Sequence, residues 1–337
     1  MVYGILKIGI TLLIAGILSG CGQGQPPVDT RQAKLSVWLT YWDLHSGGKE
    51  LESIAAKLEK LSYFGAYFDQ NDRLFIPKEL LGKKNSDEKT KGKYETYLTF
   101  VNDKLNANGS SVLKDIEILR RVFANDRAME RHIDEMVALT LQGGFDGIEI
   151  DYERVWNDGE TGQLFLKFID QLYAKAVQNN LKVRIVLEPG APFASNGFFR
   201  GPEYVVMLYH LYGVHSGPGP KTNRAFIKNI LTQMKALPGE KSAAFSTGGC
   251  IWRSNGEKRF LTEVEAKTLA MTYDAEIQRD EESQCLFFRY QEQGGWQEVW
   301  YADVQTLNAW IALAKEQGVN HISLWRLGGN VDIGKAE

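Results

Sequence analysis

Cysteine is scarce in this chain, with three in 337 residues. So few cannot support a disulfide-dense scaffold. Net charge is also scarce. Thirty-nine Lys and Arg stand against 42 Asp and Glu, which leaves −3. That balance excludes the basic footprint of a nucleic-acid partner. Proline numbers nine, 24% of residues are charged and 44% are hydrophobic. Those values exclude a collagen-like or disordered chain. Beyond residue 18 no apolar run approaches the roughly 20 residues of a membrane span. Internal repeats and low-complexity tracts are missing too.

One apolar run does exist, at the start. Lys7 is the only charged side chain before Asp29, and Ile8 to Leu18 follows it without a charge. A core this short behind a positive charge reads as a secretory signal. It ends in Leu18-Ser19-Gly20-Cys21, which resembles a bacterial lipoprotein signal. That resemblance implies a signal peptide over 1–20 and lipidation of Cys21. The exported protein would then be anchored to the bacterial cell envelope. The alternative is an ordinary secretory signal that contains a cysteine. Residues 21–34 then form a flexible tether. Cys250 and Cys285 remain, either as a single disulfide or as two unrelated buried thiols.

From residue 35 onward the pattern alternates strand and helix. Strand-like runs are Leu35–Trp42, Leu61–Phe68, Tyr94–Val101, Phe145–Glu153, Leu181–Leu187, Tyr204–Tyr209, Ser242–Ser246 and Asn320–Trp325. They are short, β-branched or aromatic, and bounded by polar or glycine-rich connections. Helical spacing of apolar residues marks Lys49–Lys60, Val112–Leu141, Thr161–Gln178, Asn223–Leu237 and Val304–Gln317. Asn125 or Asp126 is placed to cap a second helix within 112–141. The run KKNSDEKTKGK (83–93) reads as solvated loop, and 189–202 is too broken by Gly and Pro for a full helix. Eight such strands with helical crossovers predict a (β/α)8 TIM barrel over 35–330. Residues 254–303 are too long for one crossover. They read as a small α+β insertion between strands seven and eight.

The fourth strand carries the chemistry. In FDGIEIDYE, Ile148, Ile150 and Tyr152 share one face, and Glu149, Asp151 and Glu153 share the other. Three carboxylates on a buried face are costly without pairing or function. Their mutual repulsion should hold a proton on at least one of them near neutral pH, as a general acid requires. A salt-bridged acidic edge strand is the alternative.

Asp146-Gly147-Ile148-Glu149-Ile150-Asp151-Tyr152-Glu153 resembles the signature of glycoside hydrolase family 18, the chitinase-like enzymes. Met207-Leu208-Tyr209-His210 on strand six and Ser323-Leu324-Trp325-Arg326 on strand eight extend the likeness. The stretch 298–328 looks most like the bacterial branch that acts on cell-wall or N-acetylglucosamine polymers. The resemblance implies an acid/base role for Glu153, which would protonate the glycosidic oxygen. It implies that Asp151 orients the substrate's acetamido group and that Tyr209 hydrogen-bonds it, with Glu149 and Asp146 in support. Trp325 would floor the sugar site, beside Met207 and His210. The acetamido oxygen would act as nucleophile, a substrate-assisted exception to the usual carboxylate pair. No metal or organic cofactor is implied.

Strand seven, SAAFSTGGCIW, offers no carboxylate. Many retaining barrels carry a nucleophilic Glu there, so this absence fits a nucleophile supplied by the substrate. Two positions depart from the family pattern. Glu149 stands where Asp or Asn is usual, and His210 where Asp is usual. Tyr41, Trp42, Glu188 and Trp252 end or follow strands and are further candidates for substrate contact; packing or capping is the alternative for each. His45, His132, His215 and His321 show no metal-ligand spacing. These readings point to a glycosidase cleaving β-1,4 bonds next to N-acetylglucosamine. The competing reading is a non-catalytic carbohydrate-binding envelope lipoprotein on the same barrel, and retention of Glu153 argues against it.

Overall fold

The computed structural model describes residues 32–87, 94–106, 109–292 and 294–337, besides Met1. The signal-like segment, Cys21 and most of the tether lie outside the described residues. So does the end of the charged run, 88–93.

Eight parallel strands close into a barrel: Lys34–Thr40, Leu58–Phe68, Glu95–Leu105, Gly147–Asp151, Lys182–Leu187, Glu203–Met207, Lys241–Ser246 and His321–Trp325. The first pairs with both the second and the eighth, which removes any free edge from the ring. Helices between strands complete the (β/α)8 architecture expected from the alternation. Ile148 and Ile150 are fully buried in the layer between strands and helices, so Glu149 and Asp151 must turn inward.

Several boundaries differ from the sequence expectation for local reasons. The first helix covers Leu44–Ile54, and a 3-10 turn at Ala55–Lys57 releases the chain into the second strand at Leu58. Leu58 lies on the apolar side of the expected helix Lys49–Lys60, but it begins the strand instead. Part of the expected loop is helix Lys78–Asp87, in which Lys84 is buried and donates to the Gly144 carbonyl at 2.7 Å. The region 112–141 divides into helices Ile116–Val122 and Asp126–Gln142. Asn125 caps the second by accepting from Ala128 N. No helix forms across 189–202.

The insertion starts earlier than residue 254. Strand seven stops at Ser246, and Gly248–Arg253 opens a separate five-stranded antiparallel sheet. Gly248 makes the break. Its φ is +59°, and a Cβ there would lie 2.3 Å from the Leu261 carbonyl oxygen. The sheet carries helix Glu263–Thr272, started by a reciprocal cap between Thr262 and Glu265. Cys250 and Cys285 are both buried and both free thiols.

Candidate active site

Below the barrel mouth the interior is ionic. Arg184, in the middle of strand five, is 1% exposed. Its guanidinium meets Glu149 at 2.7 Å and Glu203 at 3.1 Å, and donates to the hydroxyls of Ser36, Ser62 and Ser323. Lys60 adds a second cation to Glu203 at 3.0 Å. Glu149 accepts from Trp38 Nε1 (2.5 Å) and Thr99 Oγ1 (2.7 Å) on one oxygen. Its other oxygen takes Ser62 Oγ (3.0 Å) and Arg184. Four donors fill the roughly four lone-pair sites of a carboxylate. Glu149 therefore has no free site for a proton shared with Asp151.

Asp151 stands one layer higher and is differently placed. It is 8% exposed, and its Oδ1 is buried without a hydrogen-bond partner among the described residues. Burial pushes its carboxyl well above the usual carboxylate range. The charges of Glu153 and Glu149 push the same way, and Lys114 opposes them. That environment favours its protonated form.

The strand ends at Asp151, so Glu153 lies beyond it and needs its own support. Asn102 supplies that support from strand three. Its amide accepts from Glu153 N at 3.0 Å and donates to Glu153 O at 3.1 Å. The Glu153 carboxylate ion-pairs with Lys114. Lys114 has φ +56° and is held by its own N–H to Asp103 Oδ1 at 2.7 Å. Tyr152, between the two acids, points outward and meets His132 Nε2 at 2.7 Å.

Tyr209 also lies just past its strand. Burial raises its hydroxyl pKa, and the charges of Asp151 and Glu153 add to the shift, which places the phenol in their field. His210 packs beside it with ring centroids 5.0 Å apart, and burial lowers the imidazole to about 4, leaving it neutral. Trp325 ends strand eight. Its ring meets Phe64 at 4.7 Å and Trp38 at 5.8 Å, both edge-on. Trp38, Phe64 and Met207 form the apolar layer beneath it.

These groups line a single cleft of about 570 Å³ at the C-terminal end of the barrel. Asp151, Glu153, Met207, Tyr209, His210 and Trp325 all face it, and so do Tyr41 and Trp42. Trp42 is half exposed and lies 5.7 Å from the Arg326 guanidinium. Phe260, Thr262 and Glu265 bring the insertion in as one wall.

Three expected residues are placed elsewhere. Asp146 sits at the opposite end of the strand and accepts from Thr96 N and Oγ1, both at 2.8 Å. Trp252 lies within the insertion sheet, not the cleft. Its Nε1 donates to Ser216 O at 3.0 Å, and it borders a separate groove. Glu188 accepts from Arg154 N at 2.7 Å and so holds the turn after Glu153. Burial raises its carboxyl, and Glu153's charge adds to the effect. Asn102, Lys114, Arg184 and Lys221 escaped the sequence reading. Only Arg184 left a signal, as a cation at an inward position of a buried strand.

No family model matches the chain. It is similar to a cortical fragment-lytic enzyme of Bacillus subtilis, 26% identical over 231 residues, which is 62% of this chain and 53% of that protein. The chain thus spans about half the length of this curated relative. Among solved structures, the Bacillus cereus spore cortex-lytic enzyme SleL superposes with a TM-score of 0.76 at 20% identity, covering 89% of this chain and 72% of that one. A chitinase from Chromobacterium violaceum gives 0.75 at 18% identity, with 90% and 96% covered. These structures share the (β/α)8 fold.

Proposed function

We propose that the chain is a glycoside hydrolase of the family 18 type, cleaving β-1,4 bonds next to N-acetylglucosamine. The observation that carries this reading is the placement of the two acids. Asp151 is buried with its carboxyl pushed well above the usual carboxylate range, and Glu153 is clamped two residues on, roughly 6.6 Å along the chain direction. Chitin-type glycan and the cortical fragments for which the Bacillus relative is named are candidate substrates.

Sugar entering between Trp325 and Tyr209 displaces Lys114 from Glu153 and excludes water from the carboxyl. Glu153, having taken a proton from solvent as the sugar arrives, delivers it to the glycosidic oxygen as the C1–O bond breaks and the leaving sugar departs as an alcohol. The acetamido carbonyl oxygen forms the new bond to C1, while Asp151 and Tyr209 hold that group in line. Glu153, now a carboxylate, accepts a proton from water. The resulting hydroxide adds to C1 and releases the acetamido oxygen. Two displacements at one carbon retain the anomeric configuration. Proton NMR of the first-formed product from a chitooligosaccharide tests this step. The β-anomer is expected, and initial release of the α-anomer contradicts the mechanism.

Export with a lipid at Cys21 belongs to the same proposal. It would hold the enzyme at the membrane surface, close to cell-wall glycan.

A further inference from the structure

Lys221 and Arg326 both line the cleft and are unused in the proposed reaction, and of the two only Lys221 lacks a carboxylate partner among the described residues. It lies between strand six and helix Arg224–Gln233, and its ammonium borders the cleft. An ammonium has three N–H donors. Two are taken, by Ser246 Oγ at 2.7 Å and Thr247 O at 3.2 Å. Thr247 donates its own N–H to the Trp325 carbonyl at 2.6 Å, which fixes the ammonium beside the floor of the sugar site. Phe260 of the insertion covers it, with its ring centroid 5.3 Å away.

Unlike its neighbours, Lys221 lacks a countercharge among the described residues. Lys114 pairs with Glu153 and Arg326 with Asp43, but no described carboxylate pairs with Lys221. The charged or titratable groups that act on it are Cys250, Cys285 and Arg326, none of them a carboxylate. Burial accordingly lowers its pKa. A buried ammonium that has hydrogen bonds but no countercharge is unfavourable, and an anionic ligand would relieve that cost. The remaining N–H asks for an anionic acceptor, and the neutral His210 nearby does not compete for one.

We propose that Lys221 is a carboxylate-binding position of this cleft. The preferred substrate is then an N-acetylated glycan with a carboxylate on a sugar beside the N-acetylglucosamine, as on a lactyl ether, over neutral chitin. This inference rests on the glycosidase reading for its substrate, but its test measures binding and does not need turnover.

The probes are peptide-free oligomers of alternating N-acetylglucosamine and N-acetylmuramic acid, with the lactyl carboxylates free or converted to methylamides. Calorimetry on E153Q measures binding without cleavage. The free carboxylate should bind about tenfold or more tighter than the amide. Adding K221M should remove that preference, and K221R should restore part of it. Equal affinity for the two oligomers in E153Q overturns the proposal, as does a preference that survives K221M. K221M weakening both oligomers alike also overturns it, since that identifies a packing role. Should K221M fail to fold, the carboxylate-against-amide comparison in E153Q and in E153Q/K221R still decides. A carboxylate preference without hydrolysis by the unsubstituted protein would refute the glycosidase reading and leave the anion position standing.

Discussion

Glu149 Oε2 and Arg184 Nη1 meet at 2.7 Å inside the barrel, both side chains fully buried. The methylene that distinguishes Glu149 from the usual shorter residue lets it reach this guanidinium and three other donors. Asp151 is left above it, its Oδ1 buried without a hydrogen-bond partner among the described residues and its carboxyl pushed upward by burial. Removing one member of such a pair strands a buried charge. Arg184→Met is expected to lower the unfolding free energy by about 3–5 kcal/mol. Adding Glu149→Gln should recover part of that loss in a double-mutant cycle. Urea unfolding measures both, and additive effects would show that the pair is not coupled.

Asp151 gives a pH prediction with a definite sign. Its folded pKa lies above its unfolded value, so the native state binds more protons between the two. Stability therefore falls as pH rises from the unfolded carboxylate range towards the folded pKa. Asp151→Asn removes that penalty. The variant should gain stability over the wild type near neutral pH and lose the advantage below about pH 4. Its kcat should nevertheless fall by about 10²-fold or more, because the acetamido group is no longer held. Thermal melts across pH, with kinetics at one pH, check both halves.

Lys114 should set the alkaline limb of activity. Its positive charge faces Glu153 and opposes the raised pKa of Asp151. Lys114→Met removes a charge that favours the ionised form of Asp151, so that group keeps its proton to higher pH. The upper limb of kcat/KM should move up by on the order of one pH unit. An unchanged profile would assign Lys114 a purely structural role.

Much of this site was legible in FDGIEIDYE, because a period of two fixes which face each acid shares. Burial of Ile148 and Ile150 outward then dictates that Glu149 and Asp151 point inward. The barrel followed from eight short apolar runs, since each alternation of strand and helix needs a crossover. Other features depended on tertiary partners. Lys114 reaches Glu153 from an irregular turn that carries no periodicity. SAAFSTGGCIW reads as one strand, because nothing local reveals that Gly248 adopts positive φ and turns the chain into a second sheet. Asp146 belongs to the same motif as Glu153 but lies at the far end of the strand, where a carboxylate serves Thr96.

Anchoring makes a prediction about the N-terminal cysteine. Cells fed labelled palmitate should yield a labelled protein that fractionates with membrane. Cys21→Ser should abolish the label and release the protein into the soluble exported fraction. Retained label in Cys21→Ser would contradict lipidation at that position.

The acid/base role of Glu153 is tested most directly by comparing wild type with Glu153→Gln on chitooligosaccharides and on alternating N-acetylated cell-wall oligomers, with reducing ends measured over time. Glutamine keeps the shape and both Asn102 contacts, which are to backbone atoms. A fall in kcat of about 10²–10⁴-fold, with binding retained, is the expected result. Equal turnover by the two proteins on the same glycan would contradict it.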